Sequence, residues 1–203
     1  MSIGIQDDRK RRLAADRRIA KPTQLAHVVR RTARFEELVR WYCTVLGAEV
    51  VHSDGMLAFL AYDTEHHRIA IAGIPGLEEQ SMTAAGTDHV AFSYGDLGDL
   101  LHTYRRLQAA GIAPYWCINH GPTVSFYYKD PDGNRVELQV DTMPSAEAID
   151  AWMRSAEFAT NPIGVIFEPE YLVARYEAGE PIETLTARPP LPEGTGPFDM
   201  LRF

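Results

Sequence analysis

The chain has 203 residues, 45% of them hydrophobic, and a formal net charge of −8, which suits one packed domain with a small addition. The negative charge argues against nucleic acid or an anionic membrane as the main partner. No apolar run is long enough to span a bilayer, and no signal-peptide core is present. Cys43 and Cys117 sit in no metal or redox spacing and read as buried thiols of a reducing compartment, so a cytoplasmic protein is expected.

Residues 1–21 differ from the rest. Seven Lys and Arg against Asp7, Asp8 and Asp16 give this arm a local charge of +4, leaving −12 on the remaining 182 residues. A basic arm suits a polyanion. The simpler reading is an exposed helix or frayed terminus lying on an acidic body.

From Pro22 one pattern occurs twice. In the first pass, Gln24–Val29 reads as a short strand with His27 inside it. Thr32 is placed to cap a helix whose apolar residues Phe35, Leu38, Val39, Tyr42 and Leu46 recur at helical spacing before Gly47. Strands are predicted over 49–52, 57–62 and 68–72. In the second pass, Thr87–Phe92 is again a short strand, now with His89 inside it. Asp96 caps a helix carrying Leu97, Leu100, Leu101, Tyr104 and Leu107, which Gly111 ends. A strand over 113–117 and a hairpin follow. The hairpin pairs Thr123–Tyr128 with Arg135–Val140 about the turn Asp130-Pro131-Asp132-Gly133, where Pro131 presets φ and Gly133 takes positive φ. Both passes are βαβββ units.

The expected fold is therefore α+β: two βαβββ modules, over about 22–75 and 84–143, form a curved mixed sheet around a cleft, hiding their open edges. Equivalent positions on the two first strands then converge, bringing His27 towards His89. On the last strand Val136, Leu138 and Val140 share one face, while Glu137 shares the other with Arg135 and Gln139. A charged strand residue is ordinarily solvated, and a lone strand His is ordinarily structural. Together, two imidazoles and one carboxylate match the facial triad of non-haem Fe(II) oxygenases, whose remaining positions stay open. Residues 144–203 are an appendage. A helix capped by Ser145 is predicted to run to about Phe158, with Ala148, Ile149, Trp152 and Met153 as its apolar stripe. A second helix lies between Pro169 and Gly179. A Pro-rich tail then runs extended over the surface to a docked end at Phe198–Phe203.

The repeat and its His…His…Glu order resemble the vicinal oxygen chelate superfamily and, within it, the single-domain type I extradiol ring-cleaving dioxygenases. The resemblance covers about residues 22–141. It implies a metal held by His27, His89 and Glu137, Fe(II) or alternatively Mn(II), since the same ligands hold either. It also implies a catecholic diol and O2 as substrates, with both oxygen atoms entering a ring opened beside the hydroxyls. His66-His67-Arg68-Ile69-Ala70 resembles the family's HHxxA-type segment, which makes His67 the acid/base. Tyr127 and His120 fall where the family keeps groups that orient the substrate's oxygen. Small members of this kind resemble subunits that assemble, so a homo-oligomer is expected. Trp116, Phe126, Ile166 and Phe167 are candidate pocket walls. A glyoxalase-like isomerase would want a carboxylate on the strand at 68–72, and there is none. A fosfomycin-resistance-like transferase shares the triad but not His67 and Tyr127. A sequestering protein of the bleomycin-resistance type has no need of three ligands.

Overall fold

The computed structural model describes residues 19, 21–78, 81 and 83–202. Apart from residues 19 and 21, the basic arm expected over 1–21 lies outside them.

The two passes fold on one plan. In the first, β1 (Val28–Thr32) leads into helix α1 (Phe35–Leu46), and β2 (Glu49–Ser53), β3 (Leu57–Ala61) and β4 (Ile69–Gly73) follow. The sheet order is β1-β4-β3-β2, with β1 parallel to β4 and the other pairs antiparallel. In the second, β5 (His89–Tyr94), helix α2 (Leu97–Ala109), β6 (Trp116–Asn119), β7 (Thr123–Lys129) and β8 (Arg135–Asp141) repeat it as β5-β8-β7-β6. The strands thus lie in two mixed sheets, each with its own helix. A parallel pair needs a long connection, which the helix and the two strands after it supply.

Local chemistry accounts for most boundaries. Gly47 closes α1 at φ 62°, a left-handed position that costs a residue with a Cβ. Asp96 caps α2 by accepting from the Asp99 N–H at 2.9 Å. Thr32 accepts from the Arg34 N–H instead of capping α1, because the strand continues through Thr32. For the same reason His27 stands just before β1, not inside a strand.

The core is shared. Leu38, Tyr42 and Val45 of α1 pack with Leu100, Tyr104 and Leu107 of α2 and with Ile71, Phe126 and Leu138 from the sheets. Truncating a side chain as enclosed as Leu38 costs about 2–5 kcal/mol. Polar contacts fasten the β7–β8 turn to the first module. Asp130 accepts from the backbone N–H groups of Asp132 and Asn134 and from the Tyr42 hydroxyl at 3.2 Å. Arg30 donates to Tyr42 at 3.0 Å, and Arg34 reaches the Pro131 carbonyl.

The rest of the chain departs from expectation in three places. The helix expected from Ser145 to about Phe158 is two helices, α3 (Ala146–Met153) and α4 (Ala156–Thr160). Ser155 turns its hydroxyl to the Phe158 N–H and starts a new helix, a competition that Ser wins readily at a first turn. After α5 (Pro169–Glu177) the tail is not uniformly extended: it holds α6 (Ile182–Thr186) and a 3₁₀ turn over Pro197–Met200 that buries Met200. Finally, Val165–Ile166 form β9, which pairs antiparallel with β6 and becomes the fifth strand of the second sheet.

Candidate metal centre and active site

The register of the second sheet builds the site. Tyr127 lies directly opposite Glu137 across β7 and β8, and Glu137 lies beside Ala91 on β5. Alternation sends Phe126, Tyr128, Val136 and Leu138 into the core and leaves Ser125, Tyr127 and Glu137 on the other face. Glu137 is only 4% exposed. Its Oε2 lies 3.0 Å from His89 Nε2, and its carboxylate also accepts from Ser125 and Tyr127. His89 turns its other nitrogen to Asp88 Oδ2 at 2.7 Å, and Asp88 is itself held by Arg135 at 2.7 Å.

Charge follows geometry. The bond to Glu137, helped by Asp88, outweighs burial and pushes His89 up to about 9. Burial alone would raise the Glu137 carboxyl. The hydrogen bonds from His89, Ser125 and Tyr127 and the His89 charge overcome it, holding the group below the ordinary carboxylate range. Tyr127 is pushed up by burial and by the Glu137 charge, so it stays protonated. His120 is pushed down, chiefly by burial. Its Nε2 lies 3.1 Å from the Tyr127 hydroxyl. His89, Tyr127 and His120 face a cleft of 280 Å³ that Trp116, Ile163 and Leu201 help to wall, near the lower end of the roughly 300–1,000 Å³ of small-molecule sites.

The first module carries a second group. His27 and His67 rings are 4.5 Å apart, and Phe59 lies 4.6 Å from His67. His66 and His67 do not point apart as strand neighbours would. Both lie in the loop before β4, with their Nδ1 atoms 2.5 Å apart. The structure therefore brings His89, Glu137, Tyr127 and His120 together, and His27 together with His67. Among the described residues no group of three or more His, Cys, Asp or Glu is arranged to hold one ion.

Two of the three expected ligands suit a divalent cation. His89 Nε2 and Glu137 Oε2 converge on one point, and Asp88 fixes the ring from behind, as a carboxylate partner of a metal-binding imidazole does. Sequence reading missed Asp88, Ser125 and Ile163. Ser125 shares the Tyr127 face, so period-two alternation held a signal for it, while Asp88 precedes β5 and only its place next to His89 pointed to it. Ile163 acts through its carbonyl, which side-chain patterns do not show. Of the candidate walls, Trp116 lines the cleft, while Phe126 and Phe167 belong to the main core. No described helix is long and apolar enough to cross a membrane.

Comparison with known proteins agrees with this architecture. The family model described as "Glyoxalase/Bleomycin resistance protein/Dioxygenase superfamily" matches residues 24–138. The chain is 45% identical over 164 residues to biphenyl-2,3-diol 1,2-dioxygenase 2 of Rhodococcus globerulus, covering 80% of this chain and 86% of that protein. It is 42% identical over 167 residues to biphenyl-2,3-diol 1,2-dioxygenase 3 of the same organism, covering 81% and 88%. Both alignments run longer than the family match. Among solved structures, a glyoxylase/bleomycin resistance protein/dioxygenase domain from Frankia sp. EAN1pec superposes with a TM-score of 0.51 at 20% identity, covering 60% of this chain and 99% of that one.

Proposed function

From a chain that belongs to the glyoxalase/bleomycin resistance protein/dioxygenase superfamily, we propose an extradiol dioxygenase that opens the ring of a catecholic diol with O2, using Fe(II) or, on the same ligands, Mn(II). The observation that carries this reading is the contact of half-buried His89 with buried Glu137 at 3.0 Å, with His89, Tyr127 and His120 lining one cleft. The identity of 45% to a biphenyl-2,3-diol dioxygenase supports it and makes that diol the first substrate to try.

His89 and Glu137 would hold the metal, with His27 as third ligand. When bound, the ion supplies the positive charge that acidifies the diol's hydroxyls and the electronic path between diol and O2. The protein's own groups do the rest. Tyr127 keeps its proton and donates it towards substrate oxygen, and neutral His120 accepts from a substrate hydroxyl. His67 is the acid/base. The C–C bond beside the two hydroxyls breaks, two oxygen atoms enter the product, and no further reductant is consumed.

No group of three ligands is preformed among the described residues, so His27 would join His89 and Glu137 as the metal binds. Because its ring lies against His67, whatever brings His27 to His89 brings the acid/base with it. Strands β1 and β5 are the outer strands of their sheets, so the approach is open from the same chain or from a second copy, in keeping with a homo-oligomer. The test is protein purified without oxygen, assayed for bound metal and then for the yellow ring-fission product of biphenyl-2,3-diol. Metal-free protein that fails to take up Fe(II) or Mn(II), or loaded protein inert on any catechol, overturns the reading. Mixing His27→Ala chains with Glu137→Ala chains separates the two routes: recovered activity requires a site shared between copies.

A further inference from the structure

The region after β8 meets the cleft at Leu201 and Arg202 and, beside His120, at Pro162 and Ile163 of the loop Asn161–Gly164. Asn161 is 4% exposed and folds this loop on itself. Its Oδ1 accepts from the Ile163 N–H at 3.1 Å and the Gly164 N–H at 2.9 Å, and its Nδ2 donates to the Gly164 carbonyl at 2.9 Å. Gly164 has φ +126°, and a Cβ built there would stand 2.5 Å from the Asn119 carbonyl oxygen and 2.9 Å from His120 Cα. The loop thus rests directly on the backbone that carries His120. Arg188, its side chain 6% exposed, clamps both partners. One guanidinium nitrogen donates to the Asn161 carbonyl at 2.8 Å and to the His120 carbonyl at 3.4 Å. The other reaches Glu157 at 3.0 Å, and the group lies over the Trp152 ring.

This bracing aims the Ile163 carbonyl at His120 Nδ1. A carbonyl can only accept, so Nδ1 carries the proton, and in a neutral ring Nε2 is then bare. The Tyr127 hydroxyl, 3.1 Å from that Nε2, also bonds to Glu137. One phenolic proton faces two acceptors, and the cleft is left one donor short. We infer that Asn161 and Arg188 are positioning residues, which fix His120 as its Nδ1–H tautomer and so present a bare Nε2 to a hydroxyl proton of the ligand. A loop that shows no catalytic side chain acquires a role in the chemistry through one backbone oxygen.

The inference rests on the dioxygenase reading only for its kinetic arm. The direct test is the nitrogen spectrum of ¹⁵N-histidine in the full chain loaded with diamagnetic Zn(II), His120 being identified by its loss in His120→Gln. His120 should show a protonated Nδ1 and an unprotonated Nε2. Asn161→Ala and the milder Arg188→Lys should shift that balance towards Nε2–H. In the Fe(II) enzyme the same variants should lower kcat/KM on a catechol by up to about 10²-fold, the scale of a small misplacement of a positioned group. Asn161→Asp, which keeps both accepted bonds, should restore most of it. Thermal unfolding of each variant identifies any that fail to fold, and Arg188→Lys keeps the test open if Asn161→Ala does. A wild-type His120 protonated at Nε2, or a tautomer unmoved in both variants, overturns the inference. If the tautomer behaves as stated while the wild type turns over no catechol, the dioxygenase reading fails and the inference stands.

Discussion

The two βαβββ copies share strand order, helix placement and a histidine at the start of the first strand, yet their surroundings differ. In the second copy β6, β7 and β8 are almost wholly buried, and Glu137, Ser125 and Asn119 lie among them. The equivalent outer strand of the first copy, β2, is exposed along its whole length, Val50 and Val51 included. The difference traces to β9 and the segments around it. They pair the outer edge of the second sheet, which the first lacks, and lay Ile163 and Leu201 beside the cleft. One copy buries Glu137 among its partners, where a hydrogen bond is stronger than in water. The other presents His27 and His67 on an accessible surface. Duplication supplies symmetry of backbone; what covers each sheet decides which copy concentrates charge.

The sharpest way to break this comparison is to remove one ligand from each copy. Glu137→Ala should empty the site and abolish turnover, costing more in metal affinity than the roughly 10–100-fold typical of losing an outer partner of a metal ligand. His27→Ala should do the same. Elemental analysis reads both, and full metal occupancy in His27→Ala would confine metal binding to the second copy.

Next in size is the acid/base. His67→Ala should keep its metal and still bind catechol while turnover falls by roughly 10²–10⁴. His66→Ala should cost less, though the 2.5 Å contact between the two Nδ1 atoms gives it some influence on where the His67 proton sits. Loss of metal in His67→Ala, or a larger effect at His66, would reverse the roles.

Asp88→Asn tests what stands behind His89. In metal-free protein the proton on His89 favours the folded state. That contribution is complete below the ordinary value of 6.5 and is lost as pH rises through about 9. Glu137, held low, contributes above the ordinary carboxylate value and loses its share as pH falls. A cation must displace the His89 proton, so metal affinity should climb with pH up to about 9 and level off. At pH 9 or above, where proton competition has gone, Asp88→Asn should still weaken metal binding by roughly 10–100-fold. A titration showing no pH dependence between 6.5 and 9 would remove His89 from the ligand set.

The smallest effect expected is at the cap that only the second copy's helix carries. Asp96→Ala removes the cap of α2 and should cost about 0.5–2 kcal/mol, a fall in Tm of about 2–4 °C per kcal/mol for a chain of this size, with no change in metal content. A loss of metal would show that α2 holds His89 and Glu137 in place.

Much of this molecule was legible in the chain itself. The two passes of His, helix and closing glycine, the Asp130–Gly133 turn and the alternation that turns Glu137 away from the core all follow from local rules, because backbone conformation and side-chain direction depend on near neighbours. The grouping of His89 with Glu137 was legible too, since the repeat and its His…His…Glu order put both towards one cleft. Tertiary structure alone decided three things. Val165–Ile166 is too short to announce itself as a strand and exists because β6 offers an unpaired edge. The Ile163 carbonyl reaches His120 only because Asn161 and Arg188 fold a distant loop onto that backbone. His27 lies against His67 and in no preformed group of three ligands, because strand order is local to each module while the docking of one module on another is set by the shared core and by the grip of Arg30, Arg34 and Tyr42 on the β7–β8 turn.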